Sequence, residues 1–144
     1  MSAAQDLGIG GLAYTSTNDL SGSTTDVTNG NPIGSNKKNG TGMAVIVDTA
    51  NEASIVLAGA NALILGILIN TPAAGEAAAI QSVRGSSAKV LLGGTVSKGD
   101  KLNTDSSGRL VTATTGAQLI CAQAQEAGVV GQLVQAVLLD SYIA

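Results

Sequence analysis

From residue 43 onward the chain repeats one pattern: a short aliphatic run, then a break marked by glycine. The runs are Met43–Asp48 (MAVIVD), Ile55–Leu57, Leu63–Ile69, Ala77–Arg84, Lys89–Leu92, Leu119–Ala124 and Leu133–Leu139. Glycines punctuate them at 66, 75, 85, 93, 94, 99, 108, 116, 128 and 131. Short apolar runs at regular spacing between turn signals predict strands of a small antiparallel β-sandwich or barrel. Gly59-Ala60-Asn61 separates the second run from the third. Pro72-Ala73-Ala74-Gly75-Glu76 makes a turn, because proline presets φ and glycine permits φ > 0. Val96 leads into the turn Ser97-Lys98-Gly99-Asp100, and Lys101–Asn103 and Arg109–Ala113 flank Asp105-Ser106-Ser107-Gly108 as a hairpin. Two stretches also admit a helix, one starting through Asp48–Glu52 and one over Gln118–Ala127. Leu133–Leu139 is apolar at nearly every position. Such a strand is central and covered on both faces, or lies at a subunit contact.

The polar half of the pattern sits before this region. Of the 28 positions from 15 to 42, 22 are Ser, Thr, Asn, Asp or Gly. A segment this poor in apolar residues does not offset its own ordering entropy. The expected organisation is therefore a flexible arm over 1–42 and a β domain over 43–144. The arm orders on a partner surface, with Leu20, Val27 and Ile33 as its apolar anchors. On the domain side, Leu133, Val137 and Leu139 are the candidate partner contacts.

Composition sharpens this picture. The chain has 144 residues, no Trp, Phe or His, and two tyrosines, Tyr14 and Tyr142. Its core must be built from Ala, Val, Leu and Ile, which bury less area per side chain than aromatics. Charged residues make up 12% of the chain, against roughly 25% in an average soluble domain. Both features favour an assembly in which one subunit face is buried on another or on a larger partner. The net charge is −3, and the seven Lys and Arg residues are scattered. With no basic stripe and no aromatic platform, nucleic-acid binding is disfavoured. The uncharged stretch between Glu52 and Glu76 is interrupted by Ser54, Gly59, Asn61, Gly66, Asn70 and Pro72. It reads as two strands around a turn, not as a membrane span. The opening residues show no basic secretory n-region.

Candidate chemistry is sparse. Gly8-Ile9-Gly10-Gly11 lacks the flanking strand, helix and third spaced glycine of a dinucleotide loop. Asp100 and Asp105 are separated by Lys101 and Leu102, so each is expected to cap its own turn rather than share a cation. Cys121 lies among Leu119, Ile120 and Ala122 with no histidine anywhere to activate it, which points to a buried, inert thiol. Ser97-Lys98 sits in a turn, where the lysine is expected to be solvated. The expectation is no enzyme, no cofactor and no metal.

The order of turns over residues 60–140 resembles the capsid cement, or head decoration, proteins of tailed bacteriophages. The resemblance is carried by Ala74-Gly75-Glu76, Gly99-Asp100, the hairpin Asp105-Ser106-Ser107-Gly108, and a closing strand Gly131–Leu139. It implies a structural virion protein, made in the host cytoplasm and sitting on the outside of the head. There it bridges neighbouring major capsid proteins, often as a trimer. The same barrel also suits a fibre base or tail component, a carbohydrate- or surface-binding module, or, least well without histidine, a small hydrolase.

Overall fold

The computed structural model describes residues 14–21, 40–114 and 118–143. Among these the protein is all β, in eleven strands and two sheets. No helix among the described residues is long and apolar enough to cross a membrane.

The first sheet contains β1 (Tyr14–Ser16), β2 (Ala44–Val47), β3 (Ser54–Leu57), β4 (Gly66–Leu68), β5 (Ala77–Ala78) and β6 (Ile80–Gln81), in the order β5-β1-β3-β2-β4-β6. β1 runs parallel to β3, and every other pairing in this sheet is antiparallel. The two outermost strands are neighbours in the sequence. Ala77–Gln81 is one extended segment that pairs first with β1 and then with β4, so the sheet almost closes on itself. Ala79 sits at the changeover. Its carbonyl accepts from the Ile69 N–H at 2.9 Å, and its N–H donates to Asn70 Oδ1 at 3.0 Å. Closure of this kind removes exposed edges.

The second sheet contains β7 (Ser87–Leu91), β8 (Lys101–Thr104), β9 (Leu110–Thr112), β10 (Leu119–Ala124) and β11 (Leu133–Ile143), in the order β7-β11-β10-β8-β9. It is antiparallel throughout. It too is curled, because its outer strands meet through a parallel bridge between Leu92 and Leu110.

Apolar side chains gather in two clusters. A small one, Leu20, Val45, Ile55 and Leu68, fills the first sheet. The larger one runs from Ala44, Ala58, Ile64 and Ile67 of the first sheet into the concave face of the second, around Val90, Leu102, Leu110 and Leu138. The sheets are also joined by backbone. The Ala44 N–H donates to the Gly108 carbonyl at 2.8 Å, and the Leu91 N–H to the Gly42 carbonyl at 2.8 Å. Thr104 Oγ1 donates to the Gly59 carbonyl at 2.7 Å and accepts from the Ala62 N–H at 2.9 Å. Gly108 has φ +82, and a Cβ there would lie 3.2 Å from the Ala44 carbonyl oxygen. Glycine is therefore required both by the hairpin's left-handed position and by the seating of its tip on the first sheet.

The expected fold class is the one observed. Both helix alternatives fail: residues 48–53 form turns, and Leu119–Ala124 is strand. The domain boundary needs correction. Tyr14–Ser16 is a strand of the first sheet, and Leu20 is fully buried. This part of the expected arm belongs to the folded body. Its ordering is supplied by an existing sheet: Thr15 lies opposite Ser54 with their hydroxyls 3.1 Å apart, and a single leucine supplies the burial. Beyond Leu20, the Gly40 N–H returns to the Leu20 carbonyl at 3.2 Å.

Candidate partner-binding surfaces

The six expected contact residues fall in different places. Leu20 is plugged into the first sheet's own cluster beside Val45, Ile55 and Leu68, so it is not available to a partner. A plug and an anchor look alike in sequence: each is one leucine in a polar stretch. Val27 and Ile33 lie outside the described residues. Leu133, Val137 and Leu139 all lie on β11.

β11 is an interior strand of its sheet, and within the chain it is covered on one face. Val134, Ala136 and Leu138 point into the core. The other row starts at Leu133, 46% exposed, passes through exposed Gln135 and continues to half-buried Val137. Gln135 breaks the apolar stripe. Its N–H donates to Glu126 Oε1 at 2.7 Å, and its amide Nε2 donates to Gln125 Oε1 at 3.1 Å. Glu126 in turn accepts from Lys89 Nζ at 2.9 Å. Leu139 is set apart by a bulge. Ile120 lies opposite Tyr142 and Ala122 opposite Leu138, so three β11 residues face Cys121 alone.

The Lys89 hydrogen bond, with support from the Gln135 N–H, holds the Glu126 carboxyl below the ordinary glutamate range. A comparable device fixes the end of β1. Asp48 accepts from the Thr17 hydroxyl, from Asn51 Nδ2 at 2.8 Å and from the Ala50 N–H at 2.9 Å, and these bonds lower its pKa.

Asp100 and Asp105 are each engaged at a turn. Asp100 accepts from the Ser97 N–H at 2.9 Å and from the Thr112 hydroxyl at 3.0 Å. Asp105 accepts from the N–H groups of Ser107 and Arg109, both at 2.9 Å, and from Arg109 Nε at 3.0 Å. Each carboxylate closes its own turn, as the spacing implied. Among the described residues no group of three or more His, Cys, Asp or Glu is placed to hold a metal. Cys121 is buried, with Sγ 3.5 Å from the Leu102 carbonyl. Burial pushes its pKa up to about 12, against the opposing pull of the Arg84 charge. It is a protonated thiol at neutral pH. Gly8–Gly11 lies outside the described residues.

The surface carries two larger hollows that the sequence did not mark. One, of about 450 Å³, runs between Asn18–Leu20, Val56–Gly59 and the Ser106-Ser107 hairpin tip. The other, of about 430 Å³, is lined by Ile46, Val47 and Ala62–Leu65. Val47 and Leu63 stand 50% and 67% exposed on its walls, a degree of exposure worth noting for neighbouring large aliphatic residues. Both hollows join segments distant in sequence, so no local motif announces them. The first hollow has polar groups of Asn18, Asp19, Ser106 and Ser107 in its lining, whereas the second is lined by aliphatic residues throughout.

No family model matches the chain, and no curated protein matches it. A solved structure does: the N base of the head fibre protein gp8.5 of bacteriophage phi29. The likeness has a TM-score of 0.65 at 15% identity, over 92% of this chain and 96% of that one. At this identity the likeness is one of fold, and it extends over nearly the whole of both chains.

Proposed function

We propose that the protein is a structural component of a phage virion, attached to the outside of the head as the base of a surface appendage. The observation that carries this reading is the near end-to-end match of its fold to a phage head-fibre base. A partial match would point to a shared sheet. This one covers 92% of the chain. One surface feature agrees with it: the aliphatic hollow lined by Ile46, Val47 and Ala62–Leu65.

A second reading, capsid cement that bridges major capsid proteins, is favoured by the order of turns from Ala74-Gly75-Glu76 to the closing strand. The two differ in energetics. A cement binds across shell subunits and loses its binding free energy when they separate, so it stabilises the shell by mass action. A fibre base held by one shell subunit does not. Self-association, as a trimer by resemblance, belongs to the same proposal.

The experiment is sedimentation of the purified protein with intact heads and with unassembled shell protein, followed by heating of naked and decorated heads. Binding to heads is expected. A raised disruption temperature selects the cement, and an unchanged one at full occupancy selects the fibre base. Failure to sediment with heads contradicts both.

A further inference from the structure

Charge is divided unevenly between the two sheets. Residues 14–21 and 40–83, which build the first, hold Asp19, Asp48, Glu52 and Glu76 and no Lys or Arg. Residues 84–114 and 118–143, which build the second, hold Arg84, Lys89, Lys98, Lys101 and Arg109 against Asp100, Asp105, Glu126 and Asp140. The described part of the first sheet thus carries a net charge of −4 and that of the second +1.

Two of the first sheet's carboxylates, Asp48 and Glu52, lie in the β2–β3 turn. That turn starts directly after Val47, which lines the aliphatic hollow of about 430 Å³. The Asp48 carboxylate is fixed there by Asn51 Nδ2 at 2.8 Å and by the Ala50 N–H at 2.9 Å. Glu52 is exposed. One cation reaches another wall of the hollow. Arg84 Nη2 donates to the Ile64 carbonyl at 2.9 Å, and its Nη1 is covered by protein. That charge is held in the seam.

An aliphatic hollow beside an acidic turn selects its occupant by charge. Val47 and Leu63 offer apolar area to an incoming aliphatic side chain. Asp48 and Glu52 attract a cation at the rim and repel an anion. Nucleic acid and anionic headgroups are therefore disfavoured here. Two copies meeting through this face would set the same carboxylates against each other, because a two-fold contact uses one patch twice. A basic, aliphatic segment of another protein satisfies both halves of the surface.

We propose that this hollow docks a partner segment in which an aliphatic side chain stands beside Lys or Arg. The aliphatic group packs on Val47 and Leu63, and the basic group lies over the Asp48–Glu52 turn. The inference does not rest on the proposed function: it assigns a face and a partner chemistry, and it holds for a fibre base and for a cement alike.

The test is an NMR titration of the full chain with three blocked heptapeptides. One has a Val-Leu-Val centre and two lysines at each end, one has glutamates in place of the lysines, and one has the lysines around a Ser-Gly-Ser centre. The lysine peptide with the aliphatic centre is expected to shift the methyls of Val47, Leu63 and Leu65 saturably, and to bind more weakly as salt rises. The other two are expected to bind at least about ten-fold more weakly. Leu63→Ser, at an exposed position, is expected to weaken the first peptide roughly ten-fold, and Glu52→Lys roughly three-fold or more. No saturable shift at these methyls overturns the proposal. So does equal binding of the lysine and glutamate peptides, which denies the charge selection. Contacts from residues 22–39 to the Val47 and Leu63 methyls in the free protein also overturn it, as do methyl shifts that change on dilution; these assign the hollow to the chain itself or to a second copy.

Discussion

The two sheets reach closure by different means. The second contains the two longest strands, β10 and β11, and β11 alternates between buried and more exposed positions over Leu133–Leu138. β11 spans eleven residues, and its inward row of Val134, Ala136 and Leu138 meets Ala122, Ala124 and Val90 across the ladder. The first is assembled from strands of two to four residues, and its own cluster holds four fully buried side chains. One of them, Leu20, comes from outside any strand. In the second sheet a buried leucine such as Leu138 is held by its own strand, whereas Leu20 is brought to the first sheet from a loop. Where strands are short, single residues and close backbone approaches carry the closure.

The sharpest way to break this comparison is to truncate one leucine in each sheet. Leu20→Ala and Leu138→Ala each remove a fully buried leucine. Each is expected to cost about 2–5 kcal/mol in urea unfolding. The comparison fails if Leu20→Ala is neutral, the result that a free arm would give.

A smaller effect is expected at the closest backbone approach. A Cβ on Gly66 would lie 2.4 Å from the Gln81 carbonyl oxygen and 2.7 Å from Ile80 Cγ2. Gly66→Ala forces β4 and β6 apart and is expected to cost about 1–3 kcal/mol. Gly59 has open space around its Cα and no positive φ, so Gly59→Ala is the internal control, expected within about 0.5 kcal/mol of the parent. Equal melting of the two variants would remove the claim that closure rests on that approach.

Asp105 tests the seam between the sheets. It ties the hairpin whose Gly108 carbonyl meets Ala44. Asp105→Ala leaves the N–H groups of Ser107 and Arg109 without their acceptor. It is expected to cost about 1–3 kcal/mol, read by thermal unfolding.

The smallest effects lie at the surface carboxylates. Thr17→Ala is expected to raise the Asp48 pKa toward the ordinary aspartate value, and Lys89→Ala to raise that of Glu126. Both carboxyls titrate below their unfolded values. Their contributions to stability are therefore present above the unfolded pKa and fade as pH falls through the folded one. The two arms differ in one respect: Thr17 ties β1 to the β2–β3 turn, whereas Lys89 lies within the second sheet. NMR titration of the two carboxyls checks both shifts.

The same contrast explains how much the sequence disclosed. The second sheet was legible because its two longest strands fall on apolar runs, Leu119–Ala124 and Leu133–Leu139, and because Asp105–Gly108 is a turn with recognisable chemistry. The first sheet was only half legible. Leu63–Ile69 reads as a seven-residue strand, yet only Gly66–Leu68 is paired as one; in the segment before it the Ile64 carbonyl accepts from Arg84 Nη2 at 2.9 Å. Ala77–Arg84 reads as one strand and is split at Ala79, where the chain changes neighbours. β1 gave no signal, since its Tyr-Thr-Ser sequence is polar and its order comes from strands distant in sequence. The candidate contacts fared likewise. Leu133 and Val137 share the outward row of β11, but Gln135 divides them, and the Val47–Leu63 hollow has no local signature.

The central claim is that this fold sits on the outside of a phage head. Electron cryomicroscopy of purified heads, with and without the protein, tests it most directly. The account predicts additional density on the outer surface of the shell, shaped by a nearly closed barrel joined to a curled five-stranded sheet. Heads that look identical with and without the protein, or density confined to the tail or the interior, would contradict it.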